Sequence, residues 1–230
     1  MTRRQHVALA AGLMALVILI GLLRMAGQLL PIDELGMRLV TRAHGLPGAG
    51  LLTALAIALH WLGEPGGRLF VALALGMFLA RAGRSDEIVW LIALVVGVML
   101  LNLALKLAFA AERPIVLYEV PPFLTGFSFP SGHASGAMAL WGGIALLTRR
   151  RIAWIACTIL ILAMGTSRIW LGAHYPSDVA AGWLEGAAWL LLLLPVHPTR
   201  DALPGAKRRS RRKRAGRQNG SRERPVDAPI

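Results

Sequence analysis

Apolar runs of nearly membrane-spanning length recur along this sequence, at residues 7–23, 88–105, 134–148, 152–167 and 179–194, the last interrupted by Glu185 alone. A hydrocarbon core of ~30 Å takes roughly 20 helical residues to cross, fewer where flanking groups reach the interface. The chain is therefore expected to sit in a bilayer. Its composition agrees, with 56% hydrophobic and 16% charged residues, outside the averages of water-soluble domains. The first run follows Arg3 and Arg4, as a signal sequence would, but no small-residue cleavage site comes after it. It reads as an uncleaved span that continues past Arg24 to residue 30.

Two shorter apolar segments, 49–63 and 69–80, are separated by the breaker Glu64-Pro65-Gly66-Gly67. The second reads as a short span whose flanking Arg68 and Arg81 snorkel to the interface. The first reads as a helix packed at the outer interface or re-entrant. The expected fold is all-α, a polytopic membrane bundle with six core transmembrane helices over residues 1–198, followed by a basic, disordered tail over 199–230. With the N-terminus inside, 18 of the 25 Lys and Arg residues fall on the cytoplasmic side. The other seven are Arg24, Arg38, Arg42, Arg68, Lys106, Arg113 and Arg168. This is the asymmetry the positive-inside rule expects, and it places both termini in the cytoplasm of a cell whose inner membrane holds the protein. If 49–63 also crossed, the first span would invert and the rest would keep its orientation.

The formal charge of +13 concentrates in the tail, where residues 200–230 hold 11 basic and 3 acidic side chains. Without features of sequence readout around it, the run from Lys207 to Arg214 is expected to set topology and to bind anionic lipid headgroups, at ~1 kcal/mol per basic residue. No specific nucleic acid is expected. The single cysteine, Cys157, excludes an intrachain disulfide and a multi-cysteine metal site.

Polar residues that survive at membrane level are functional candidates, because each carries a free-energy penalty that something must offset. They form three clusters. Lys106 and Arg113 stand seven residues apart, about two helical turns, so their side chains are expected on nearly the same face at the outer end of the third span, which Pro114 is expected to terminate at Arg113. Pro130-Ser131-Gly132-His133 precedes the fourth span, with Ser131 as a plausible N-cap and Gly132 permitting close backbone approach. Arg168, His174 and Asp178 bridge the fifth and sixth spans, with His174 and Asp178 either on one helical face or in a turn leading into the helix at Pro176. Two crossings separate the third cluster from the first two, so all three face the same side. Cations, two histidines, a carboxylate and a helix N-terminus at one face describe a phosphate site with a nucleophile and an acid–base partner.

Lys106 with Arg113-Pro114, then Pro130-Ser131-Gly132-His133, then Ser167-Arg168 with His174 and Asp178 resemble, in order and spacing, the three signature motifs of the type 2 phosphatidic acid phosphatase superfamily, the lipid phosphate phosphatases. The resemblance covers residues 106–178, and the flanking Gly126-Phe127-Ser128-Phe129 is similar as well. Many relatives carry a second Arg after Arg-Pro, where this chain has Ile115. The resemblance implies that His174 is the nucleophile and forms a phosphohistidine, with Asp178 orienting it. It implies that His133 protonates the leaving oxygen and then activates water. Lys106, Arg113, Ser131, Gly132 and Arg168 would bind the phosphate oxygens, with no metal and no cofactor. The expected partner is a lipid phosphate, best matched by undecaprenyl diphosphate. Phosphatidylglycerol phosphate, phosphatidic acid and lipid A phosphates stay open, as does transfer to an acceptor alcohol. A channel or transporter would spread its charges near the midplane, and no repeat of that kind is visible.

Overall fold

The computed structural model describes residues 1–116 and 126–196. The expected basic tail lies outside these residues. The first compact unit of the chain covers residues 1–195. Among the described residues it is all-helical, built from α1 (Arg3–Met25), α2 (Leu30–His44), α3 (Ala49–Gly63), α4 (Pro65–Arg81), α5 (Ser85–Phe109), α6 (Gly132–Thr148), α7 (Arg151–Trp170) and α8 (Pro176–Leu193). Helices α1, α5, α7 and α8 are long and apolar enough to cross a membrane, and α3 with α4, bent by 63° at Glu64, makes a fifth candidate as a broken pair. The Glu64–Gly67 breaker thus works by ending one helix and starting the next rather than by leaving a loop, with Pro65 at a first-turn position where its missing N–H is harmless.

Helix α6 is the innermost element. Ten of its 17 residues are buried, most of them Ala, Gly or Ser, so α5, α7 and α8 all pack against it. Small residues let helix backbones approach closely in lipid, where no hydrophobic effect drives helices together. Gly182 of α8 shows how close: a Cβ there would lie 2.5 Å from the Ser131 carbonyl oxygen. On the far side from the polar clusters, Leu79, Trp90, Leu91, Leu94, Val98 and Leu140 form the main apolar core. Helix α1 packs on α8 and leaves Leu16, Ile18, Leu19 and Leu22 exposed, as a lipid-facing surface requires. Glu185 is fully buried and accepts a hydrogen bond from Asn102 Nδ2 at 2.8 Å, so it faces protein.

Two expectations are corrected. Helix α5 stops at Phe109, with Ala110 in the left-handed conformation at φ 45°, four residues before Arg113. Lys106 and Arg113 therefore do not share a helical face, and a turn redirects Arg113. Arg68 does not snorkel. It is 6% exposed, and its Nη1 donates to the Gly132 carbonyl oxygen at 3.2 Å, because the break at Glu64 aims the first turn of α4 into the bundle.

Candidate active site

The three polar clusters converge at one end of the bundle. Ser131 is the N-cap of α6, its Oγ accepting from Ala134 N at 3.5 Å. Its own N–H donates to the Asp178 carbonyl oxygen at 3.0 Å, which ties the start of α6 to the start of α8. Behind this turn, Asn102 Nδ2 reaches the Pro130 carbonyl oxygen at 3.4 Å and Arg68 holds that of Gly132. Gly132 is needed here, since a Cβ would sit 2.8 Å from Asn102 Oδ1. The first N–H groups of α6 are thereby fixed in direction, as an anion site at a helix N-terminus requires.

His174 lies in the turn before α8, and Asp178 lies in the first turn of that helix, so the turn reading is the one the structure takes. Both are buried. His174 Nδ1 is 3.6 Å from Asp178 Oδ2, too long for a hydrogen bond, and 3.3 Å from Ser128 Oγ. Ser128 Oγ donates to Asp178 Oδ2 at 2.5 Å, and Tyr175 N–H donates to the same oxygen at 2.9 Å. With its hydroxyl proton committed to the carboxylate, Ser128 Oγ can only accept from His174. The proton on the ring therefore sits on Nδ1, and Nε2 carries the lone pair. Burial pushes the His174 imidazole down to about 4, with the charges of Lys106 and Arg113 acting the same way and Asp178 opposing them. The ring is neutral near pH 7, as a nucleophile must be.

The cations converge on the same turns. Lys106 Nζ donates to the carbonyl oxygens of Phe127 at 2.5 Å and Ser128 at 3.2 Å. Arg113 joins Gly126, through Nε at 3.0 Å, to Ala173, through Nη1 at 2.7 Å, so it bridges the second and third clusters. Arg168 is placed differently. It is fully buried, and its Nη2 and Nη1 reach the Ala56 carbonyl oxygen at 3.0 Å and His60 Nδ1 at 2.9 Å, both on α3. Of the expected site residues, His174, Asp178, Ser131, Gly132, Lys106 and Arg113 are linked through hydrogen bonds around one point. Arg168 and His133 are linked to each other through α3.

Four contributing residues are not among the site residues expected from the sequence. Arg24, in the last turn of α1, pairs with Asp178 Oδ1 through Nη1, donates to the Glu112 carbonyl oxygen at 2.8 Å, and lies 4.6 Å over the Tyr175 ring. A charge at the end of an apolar span was the signal for it. Ser128 had only its place beside Pro130-Ser131-Gly132-His133. His60 and Glu64 belong to the break itself, and no pattern in the sequence joins them to His133. The ligand atoms of His60, Glu64 and His133 lie within 4.8 Å of one another, a spacing a divalent ion could use. The Arg168 guanidinium against His60 Nδ1 sets a fixed positive charge on that site and argues for a hydrogen-bonded network instead.

Arg24, Arg113 and Tyr175 also line a cavity of about 350 Å³ that opens beside these residues. The family model of the PAP2 superfamily matches residues 87–202. A lipid A 1-phosphatase of Rhizobium etli is 33% identical over 177 residues, 72% of this chain and 71% of that one. An undecaprenyl-diphosphatase of Sulfolobus acidocaldarius is 37% identical over 125 residues, 51% of this chain and 57% of that one. The chain spans 27% to 71% of the lengths of the curated lipid A 1-phosphatases and undecaprenyl-diphosphatases it matches. The crystal structure of a transmembrane PAP2 type phosphatidylglycerolphosphate phosphatase from Bacillus subtilis shares the fold, with a TM-score of 0.71 at 21% identity over 81% of this chain and 94% of that one.

Proposed function

Because the chain belongs to the PAP2 superfamily, we propose that it is an integral membrane lipid phosphate phosphatase working through a phosphohistidine on His174. The observation that carries this reading is the buried chain from His174 Nδ1 through Ser128 Oγ to Asp178, which leaves Nε2 as the nucleophilic nitrogen beside Lys106 and Arg113. Nε2 attacks phosphorus in line, the ester P–O bond breaks, and the leaving oxygen takes a proton from His133. Water then attacks the phosphohistidine, His133 takes its proton, and phosphate leaves Nε2. Lys106, Arg113, the N–H groups at Gly132, and Ser131 stabilise the non-bridging oxygens, with Arg168 adding charge from behind. The protein's own cations supply that charge, so the reaction needs no metal.

The reading extends to six membrane crossings, with α6 as one of them, the site on the outer face of an inner membrane, both termini cytoplasmic, and the tail on anionic headgroups. The substrate it favours is undecaprenyl diphosphate, in keeping with the undecaprenyl-diphosphatases among the relatives. The lipid A 1-phosphatase match over 72% of this chain supports lipid A 1-phosphate as the second reading. Phosphate release by the purified protein tests both: undecaprenyl diphosphate, lipid A, phosphatidylglycerol phosphate and phosphatidic acid are each assayed with EDTA present, with His174→Ala as the control. Release from at least one lipid that vanishes in the variant is expected. Undiminished release by His174→Ala, or dependence on added divalent metal, would overturn the mechanism.

A further inference from the structure

The break between α3 and α4 lies outside all three polar clusters, yet it closes directly on His133. His133 Nε2 is 3.2 Å from the His60 carbonyl oxygen and 3.5 Å from Glu64 Oε1. The His133 ring stacks on that of His60 with centroids 5.1 Å apart. Gly63 makes room for it, since a Cβ there would meet the ring's Cδ2 and lie 3.3 Å from its Nε2. The hydrogen bond to the His60 carbonyl oxygen puts the N–H on Nε2, beside the Glu64 carboxylate, and leaves Nδ1 as the nitrogen that exchanges a proton with the substrate.

Glu64 Oε1 is equally close to His60 Nδ1, at 3.5 Å, but Arg168 Nη1 lies 2.9 Å from that same nitrogen. A guanidinium only donates, so His60 Nδ1 accepts from Arg168 and has no proton to give Glu64. The carboxylate is left to His133. Among the described residues, the charged or titratable groups facing His133 are Arg68 from α4, Arg168 from α7, His174 from the α7–α8 turn, and His60 and Glu64 from the break. Glu64 is the one carboxylate among them. Its side chain is 38% exposed against 14% for His133, so it also joins the buried ring to water.

We propose that Glu64 is a positioning residue for His133, supplying beside Nε2 the negative charge that a protonated imidazole needs next to two arginines. This rests on the reading of His133 as the acid–base group. In the first half-reaction the Nδ1 proton passes to the leaving oxygen as its bond to phosphorus breaks. In the second, Nδ1 takes a proton from water as the water oxygen bonds to phosphorus and the bond to His174 Nε2 breaks. Nε2–H stays on the His60 carbonyl oxygen throughout, with the Glu64 carboxylate beside it.

The test uses the full chain in detergent micelles with two esters: phosphatidic acid, whose alkoxide leaving group needs a proton, and p-nitrophenyl phosphate, whose leaving group does not. Glu64→Gln should lower kcat/KM on phosphatidic acid by about ten- to a hundredfold. It should leave kcat/KM for p-nitrophenyl phosphate, which reports the first half-reaction alone, nearly unchanged and move the basic limb of kcat/KM for phosphatidic acid to lower pH, with Glu64→Asp recovering part of both. Unchanged kinetics, or an equal loss on both esters with an unmoved basic limb, would overturn the proposal. If the aryl ester is not turned over, the basic limb alone decides. Wild-type turnover that His174→Ala abolishes and Glu64→Gln leaves intact removes Glu64 alone, whereas wild-type protein inert on every phosphate ester removes the phosphatase reading and this proposal with it.

Discussion

At the scale of single residues, the site turns on how a fully buried carboxylate is satisfied. Asp178 receives Arg24, Ser128 and the Tyr175 N–H, so its charge is spread over three donors from three different parts of the chain. Removing one donor leaves charge buried and partly unpaired. Arg24→Ala is expected to destabilise the protein by about 2 kcal/mol or more, read as a lower unfolding temperature in detergent, and to slow turnover by loosening His174. The imidazole itself sets a pH prediction. His174 is pushed down to about 4 from an ordinary 6.5, so the proposed nucleophile stays neutral well into acid, and the acid limb of kcat/KM should fall near pH 4 rather than near 6.5. The same shift acts on stability. As pH falls from 6.5 toward 4 the unfolded chain takes up a proton that the native ring refuses, so this contribution is full above 6.5 and is lost through that window. A pH titration of thermal unfolding checks the sign. His174, Asp178, His133 and Lys106 were legible as motif residues, because polar side chains in an apolar chain stand out. Ser128 and Arg24 were not, because a serine in a loop and an arginine at a span end have ordinary structural roles almost everywhere.

At the scale of elements, the site is an assembly of helix ends. The starts of α6 and α8, the end of α5 and the break between α3 and α4 meet there, and each end is fixed by a bond to another. Helix α8 approaches α6 closely at Gly182. Gly182→Ala would force the Ser131 carbonyl oxygen away from a new Cβ and should cost about 1–3 kcal/mol through overpacking. A matching fall in turnover is expected, because Ser131 N and the Asp178 carbonyl oxygen would separate. Phosphate release and unfolding of the one variant measure both. The boundaries of α3 were readable from Glu64-Pro65 and the apolar run before it. The direction of Arg68 was not, since inward and outward arginines at a span end share the same local sequence. The stop of α5 at Phe109 was likewise hidden, because no glycine or proline marks Ala110.

At the scale of the whole molecule, the distribution of charge and the distribution of chemistry separate. Eleven of the 25 basic residues lie in positions 200–230, beyond the described bundle, whereas Lys106, Arg113, Arg24 and Arg168 are all held in the bundle by hydrogen bonds. The proposed orientation gives a direct expectation. In a Cys157→Ser background, Glu112→Cys should react with an impermeant thiol reagent from outside intact cells, and Arg150→Cys should react only after the membrane is opened. The reverse pattern would invert the bundle and put the site on the cytoplasmic face. By itself, the sequence determined that the chain is helical and membrane-embedded, and that three polar clusters gather on one side. Those conclusions follow from hydropathy, from span parity and from three polar clusters, all of which are local or additive properties. Only the tertiary structure decided which polar groups pair: Arg24 with Asp178, Ser128 between His174 and Asp178, Arg168 with His60, and His133 with the His60 carbonyl oxygen. Each of those pairs joins residues from different elements, and a hydrogen bond depends on tenths of an ångström that helix packing sets and spacing along the chain does not encode.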